Sequence, residues 1–385
     1  MTVEPRFMEE PADPAFEKMI PDSLEVVRAK AMSYQRTRKI GFGSLGLRSF
    51  WSLYTKAKAL IAEKKIDLIF ISNPPWYTPL IGSLLKRKYR IPLVIDYIDP
   101  WVHEKDPIRP FFSKAFWAEF AARLLDPTVV KSADAIVSVS EPINQSLKTL
   151  YPSEAKKVAA AIPYGIESAD MDFAKKYPEK IPYFNCEDGL CHIVYVGVVW
   201  TLLLPTLEAL FMALSDLKRQ KPDYFKRLQW HFLGTSYALN APPQVLPIAK
   251  KFGVEEVVQE DTGRVSYPMT LNLLSRAQIL LALGPHDTHY ASSKIYSCFI
   301  ARRPIFGIYY EKSSATEILK SSNAGRLVTF SDQNPVQTKI AEIEKAIEGL
   351  LEFSGQNVNT DLTIIEEYSA KNMTKKLAQV FDSVV

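Results

Sequence analysis

The chain has 385 residues, of which 47% are hydrophobic and 23% charged, and a formal net charge of +4. That length is enough for two domains with separate cores, the composition is that of a globular protein, and so small a charge excludes an electrostatic argument for nucleic acid as a partner. No apolar run reaches the roughly 18 residues that span a bilayer, and the acidic, proline-broken start MTVEPRFMEEPADP is unlike a secretory leader. Cys186, Cys191 and Cys298 show no metal-ligand spacing, and their odd number argues against a disulfide framework, so a reducing cytoplasm is the expected setting.

In chain order, Gly41, Gly43 and Gly46 match the GxGxxG spacing of a dinucleotide fingerprint. No buried strand precedes them and no acidic strand end follows about 20 residues on, so a loop before a helix over 49–64 is the better reading. An apolar run at 67–72 reads as a strand that ends in Asn73-Pro74-Pro75. A helix over 80–88 and a second buried strand over 91–96 follow. Asp96 and Asp99, in DYIDPW, then stand at a strand's carboxyl end, where ligands bind in open α/β sheets. Asp99 or His103 would there contact a bound ligand; in the competing reading Asp99 caps a turn and Trp101 fills core. Phe111, Phe112, Phe116, Trp117 and Phe120, near Lys86, Arg87, Lys88 and Arg90, admit a membrane-facing surface. The favoured reading is a core-facing stripe at 112, 116 and 120. Strands over 133–140 and 158–163 flank a helix opening at Glu141-Pro142, and the pattern predicts a parallel sheet covered on both faces.

Residues 167–190 are polar, contain Pro178 and Pro182, and read as a linker between a first domain at 1–166 and a second at 191–365. The second half restarts with a strand over 192–199 that contains Gly197, where backbone can approach a ligand closely. A long helix over 204–220, strands over 228–233 and 254–259, a helix over 268–277 and a strand over 279–283 come next, and a helix over 340–353 closes this domain. The terminal helix, 366–385, is expected to pack back on the first domain.

The stretch from Leu280 to Val328 says most about function. A buried strand breaks at Gly284-Pro285, and Ser292-Ser293-Lys294 then opens a helix that ends before Arg303-Pro304 and another buried strand over 305–309. Bare amides and the helix dipole make such a start an anion site, and Lys294 adds a full charge. The competing reading has a serine as simple N-cap and Lys294 in solvent.

Ser293, Lys294, Ile295, Tyr296, Ala301, Arg303, Pro304, Ile305 and Gly325 together resemble the nucleotide-sugar site of GT-B glycosyltransferases, specifically the retaining family-4 group. The DYIDPW and Tyr164-Gly165-Ile166-Glu167 segments resemble that group's cleft and hinge segments. The resemblance covers about residue 60 to the end and implies two doubly wound Rossmann-like domains facing a cleft. It implies that Gly197, Arg264, Val265, Ser292, Ser293, Lys294 and Ser297 hold the donor, that Lys294 and Asp99 act in catalysis, and that Asp96 and His103 lie on the acceptor side. The family's paired glutamates would fall at His289 and Ser297, and the usual opening strand and helix of the first domain have no counterpart at Met1-Thr2-Val3. Two functions therefore stand side by side. One is a metal-independent transferase that uses a nucleoside-diphosphate sugar as co-substrate, with no cofactor, and a saccharide or lipid-linked acceptor at the inner face of the membrane. The other is a GT-B-like binding or scaffold protein without catalysis. A sugar-nucleotide epimerase of similar fold lacks its expected acidic and histidine residues.

Overall fold

The computed structural model describes residues 1–8, 17, 20–102, 110–111, 113–176, 180–236, 240–288, 290, 292–354 and 362–385. The chain divides into two compact units, Met1–Pro163 with Met373–Val385, and Tyr164–Asn372.

In the first unit, β1 (Thr2–Val3) and β2 (Arg28–Ala29) form a small parallel pair. Helix α1 (Leu45–Glu63) follows, and Gly46 sits inside it against the Trp76 backbone, so the glycine triplet is helix entry rather than a loop alone. A four-stranded parallel sheet in the order β3-β4-β5-β6 is built from Ile69–Asn73, Leu93–Tyr97, Ala135–Ser138 and Val158–Ala161. Its crossovers are α2 (Thr78–Tyr89), α3 (Lys114–Ser132) and α4 (Glu141–Leu150). The apolar triplets that open β4 (residues 93–95) and β5 (residues 135–137) are buried on both faces, which is why they do not alternate. Residues of β1 and of the edge strand β3 line one apolar cavity with Leu53 and Ile81. The terminal helix, Ala370–Asp382, packs Val380, Leu377 and Phe381 on Val94, Ala135 and Val137.

Among the described residues the core-facing stripe expected at 112, 116 and 120 is not found: Phe116 is only half-buried and Phe120 is exposed. Helix α3 buries Ala122, Asp126, Val129 and Val130, whereas Phe111 is 68%, Trp117 50%, Phe120 55% and Leu124 65% exposed. The reason is angular: Phe120 lies about 200° around the helix from Ala122, so it cannot share the buried stripe. Phe112 lies outside the described residues.

The second unit holds α5 (Ser168–Lys176) and a six-stranded, wholly parallel sheet in the order β12-β11-β10-β7-β8-β9. Its strands are β7 (Cys191–Val196), β8 (Leu228–Leu233), β9 (Val258–Asp261), β10 (Ile279–Leu283), β11 (Ile305–Tyr310) and β12 (Gly325–Phe330). The connecting helices are α6 (Leu204–Gln220), α7 (Tyr267–Arg276), α8 (Lys294–Ala301), α9 (Ser314–Ser322) and α10 (Ile340–Glu348). Helix α6 buries Leu207, Leu210, Phe211, Leu214 and Leu217, an i, i+3, i+4, i+7 stripe that packs with Trp230 and Phe232 of β8. Two expectations shift. The 254–259 run begins as a 3-10 turn, Glu255–Val257, before β9, and the polar 167–190 stretch contains α5, whose Met171 and Ala174 are buried with Leu271. Residues three apart share a helix face, so Met171 and Ala174 together dock a mostly polar helix.

Candidate functional site

Parallel strands end together, so the carboxyl ends of β7, β8 and β9 deliver their loops to one place. Gly197 follows β7 at φ 144° and its N–H donates to Leu233 O at 2.8 Å. Gly234 follows β8 at φ 71° and donates to Asp261 O at 2.9 Å. A Cβ on Gly234 would stand 3.9 Å from Gly197 N and 3.8 Å from Val265 N, and a Cβ on Gly197 would overlap Lys294 Cε and Nζ. Backbone from three loops thus converges where the lysine lies.

Lys294 opens α8 and turns inward. Its Nζ donates to Tyr195 Oη at 2.9 Å and to Val198 O at 3.5 Å, and it stands 4.8 Å from the centre of the Tyr195 ring. The reading that leaves this side chain in bulk solvent is therefore set aside. Tyr195 Oη in turn donates to Val198 O at 3.0 Å, which fixes the phenol independently of the lysine. The neighbouring serines part company. Ser292 is buried and its Oγ accepts from Tyr309 Oη at 3.1 Å, so it serves packing, whereas Ser293 is the exposed N-cap residue and forms no side-chain cap bond.

Lys294 lines a cavity of about 390 Å³ together with Ser293, Ser297, Tyr267, Glu167 and Asp170. Tyr267, at the start of α7, donates to Asp170 Oδ2 at 2.7 Å. Burial raises the Asp170 pKa and the Glu167 charge adds to that, while the tyrosine hydrogen bond opposes both. Burial likewise pushes the Cys298 thiol up to about 12, with Lys294 pulling the other way. Of the donor residues expected from sequence, Gly197, Val265, Ser293, Lys294 and Ser297 belong to this neighbourhood; Arg264 is exposed on the loop after β9, and His289 lies outside the described residues. Tyr195, Gly234, Tyr267 and Asp170 escaped sequence reasoning. Only Gly234, a glycine closing a buried strand, left a legible signal.

The acceptor-side candidates occupy the carboxyl ends of the first unit's sheet. Asp96, opposite Ser72 in the β3–β4 register, accepts from Ser72 Oγ at 3.4 Å, and burial lifts its pKa to about 6 despite that bond. Asp99 is exposed and its backbone N–H donates to Asn73 O at 3.2 Å. Trp101 stacks on Trp76 at 6.2 Å rather than entering the deep core. Asn73 is fully buried, and neither of its side-chain polar atoms has a partner among the described residues. His103 lies outside the described residues. Among the described residues no group of three or more His, Cys, Asp or Glu is placed to hold a metal ion.

Comparison with known proteins adds to this geometry. Residues 9–165 match the family described as glycosyl transferase 4-like domain. Alpha-maltose-1-phosphate synthase of Mycobacterium tuberculosis (strain CDC 1551 / Oshkosh) is 23% identical over 142 residues, 37% of this chain and 34% of that protein. The chain therefore matches about a third of the length of its curated relatives. Among solved structures, an alpha,alpha-trehalose 6-phosphate synthase from Burkholderia multivorans superposes with a TM-score of 0.61 at 12% identity, covering 95% of this chain and 88% of that one. Anabaena Alr3699/HepE, solved in complex with UDP and glucose, gives 0.59 at 15% identity, with 97% and 90% covered. At these identities the likeness is one of fold: two Rossmann-like domains of the GT-B type.

Proposed function

We propose that this chain, with a glycosyl transferase 4-like domain over residues 9–165 and a GT-B fold, is a glycosyltransferase that uses a nucleoside-diphosphate sugar. The observation that carries the reading is the inward Lys294, poised over Gly197 at the carboxyl ends of a parallel sheet. When a glycosidic bond to a diphosphate breaks, negative charge grows on the leaving group. A preorganised ammonium beside bare backbone amides stabilises that charge without a metal. Gly197 and Val265 would approach the donor by backbone, Ser293 and Lys294 would hold the diphosphate, and Arg264 would reach it as a second cation. Asp96 and Asp99 would meet the acceptor, with Asp99 orienting its hydroxyl. Retention of configuration follows from the family-4 resemblance.

The acceptor we propose is a saccharide, carried on a lipid at the cytoplasmic face of a membrane. Support comes from the exposed aromatic ridge of Phe111, Trp117 and Phe120, with Leu124; the basic run Lys86, Arg87, Lys88 and Arg90 lies toward the other end of α3, where Lys86 pairs with Asp134, and does not join that ridge. Exposed apolar rings suit contact with a lipid surface. No helix among the described residues is long and apolar enough to cross a membrane.

Binding and turnover with UDP- and GDP-sugars test the proposal. Lys294→Ala should weaken nucleotide affinity about 10- to 100-fold, the range for a hydrogen bond to a charged group. Tyr195 stays anchored on Val198, so the fold should hold. Unchanged affinity in this variant, or no binding by wild type, sinks the proposal. Ser297, a serine where the resemblance expects glutamate, favours a second reading of binding without transfer. Tight nucleotide-sugar binding with no turnover on any acceptor would establish it.

A further inference from the structure

We infer that the apolar cavity between β1 and β3 is a slot for one extended apolar strand, donated by a second polypeptide and hydrogen-bonded along both of its edges. The slot lies wholly within the first unit and needs no part of the donor site proposed above.

Among the described residues both flanking strands are paired on one side only, β1 with β2 and β3 with β4. Backbone groups of successive strand residues face opposite edges. Thr2 N–H donates to Val27 O and Glu4 N–H to Ala29 O, both at 2.9 Å, so the N–H and C=O of Val3 turn away from β2. On β3, Ile69 N–H donates to Pro92 O at 2.9 Å and Asn73 O accepts from Ile98 N–H at 3.0 Å, so Phe70 and Ser72 turn theirs away from β4. Val3, Phe70 and Ser72 all line the cavity, which thus carries open donors and acceptors on its β1 side and on its β3 side. Such unpaired edges are templates for another chain.

The rest of the lining selects the occupant. The cavity has a volume of about 610 Å³, no charged side chain among the described residues lines it, and Leu53, Leu60, Ile81 and Leu85 of α1 and α2 contribute to its wall. A charged or heavily hydroxylated ligand would lose its hydration here without replacement. An acyl chain would fill the volume and leave the backbone groups of β1 and β3 unmet. An extended peptide with apolar side chains meets both demands, in the way that a strand adds to an exposed sheet edge. Ile69 packs on the cluster that holds Ile81 and Leu85, whereas Phe70 meets Phe381 of the terminal helix with ring centres 5.2 Å apart, so apolar groups lie on both faces of β3. A neighbour in the same sheet needs that character on both faces too, which makes it an unbroken apolar run of about five residues to match Ile69–Asn73. Every run of five or more apolar residues among the 385 already belongs to β6, α6 or β10, so the strand comes from another polypeptide.

The probe is a synthetic peptide with five consecutive valine and isoleucine residues between lysine pairs, titrated into the full chain and followed by fluorescence anisotropy. Saturating peptide should slow hydrogen exchange of the Val3, Phe70 and Ser72 amides at least tenfold and leave the amides of β8, in the second unit, unchanged. The same peptide N-methylated at alternate residues keeps its side chains but cannot donate along one edge, so it should bind at least tenfold more weakly. Absence of binding, equal affinity for the methylated peptide, or binding that leaves Phe70 and Ser72 unprotected overturns the slot. Laurate that binds more tightly than the peptide would give the cavity to an acyl chain. A dimer in sedimentation equilibrium that forms without peptide and already protects these amides would give it to a second copy. Either result also overturns the assignment to a donated strand.

Discussion

Asp96→Asn should make the first unit more stable at neutral pH and no more stable at acid pH. The carboxyl is held at about 6 instead of 3.8 because burial disfavours its charge more than the Ser72 hydroxyl favours it. A raised carboxyl pKa means that the folded state holds the proton more tightly than the unfolded chain. Stability is then fully present below the unfolded value, drains away as pH rises from about 4 to about 6, and stays lost above that. The full displacement corresponds to about 3 kcal/mol, and the partial solvent access of this side chain reduces the expectation to about 2 kcal/mol. Asparagine has no charge to desolvate and can still accept from Ser72, so the variant should be flat across this window. Native-state hydrogen exchange of the Leu93–Tyr97 amides at pH 4, 6 and 8 reads the first unit alone. The expected variant-minus-wild-type difference is near zero at pH 4 and about 2 kcal/mol at pH 8. A difference independent of pH, or one largest at pH 4, would refute the argument that desolvation dominates here. If Asp96 also meets the acceptor, transfer by wild type should decline below about pH 6, where the carboxyl is half protonated.

Two further outcomes bear on the site. Gly197→Ala places a Cβ where Lys294 Cε and Nζ now lie and strains a residue at φ 144°, so nucleotide affinity should fall at least tenfold and the free protein should lose about 1–2 kcal/mol in denaturant titration; an alanine variant with normal affinity would show that the lysine seen over Gly197 is not the one gripping the ligand. Replacing Trp117 and Phe120 together by glutamate should abolish sedimentation with vesicles containing phosphatidylglycerol and leave the melting temperature within about 2 °C, since both rings are at least half exposed; vesicle binding that survives the pair would remove the ridge from consideration.

Much of the architecture was legible because a parallel sheet buried on both faces writes itself as unbroken apolar runs. The strands 228–233 and 279–283 were read to the residue for that reason, and α6 showed itself through a stripe of leucines every three or four positions. Lys294 could be singled out from sequence because an ionic residue directly after two serines, between two buried strands, has a physical meaning before any fold is drawn. Other features were not legible, because they depend on angles and distances between elements. The aromatics of α3 looked like a core stripe until the buried positions fixed which side faces in, and residues 167–190 looked like linker because α5 buries few apolar side chains, Met171 and Ala174 among them. Ser292 and Ser293 are equivalent on paper, yet the Tyr309 hydroxyl, 17 positions away, takes one into the core and leaves the other at the cavity. The sequence alone determined the order of strands and helices and the lysine at the helix start, since those follow from local periodicity and charge. Tertiary structure decided that the Lys294 ammonium meets Tyr195 and Gly197, and that Asp170 joins it in one cavity, because contacts between residues about 100 positions apart arise only when strand ends are brought side by side.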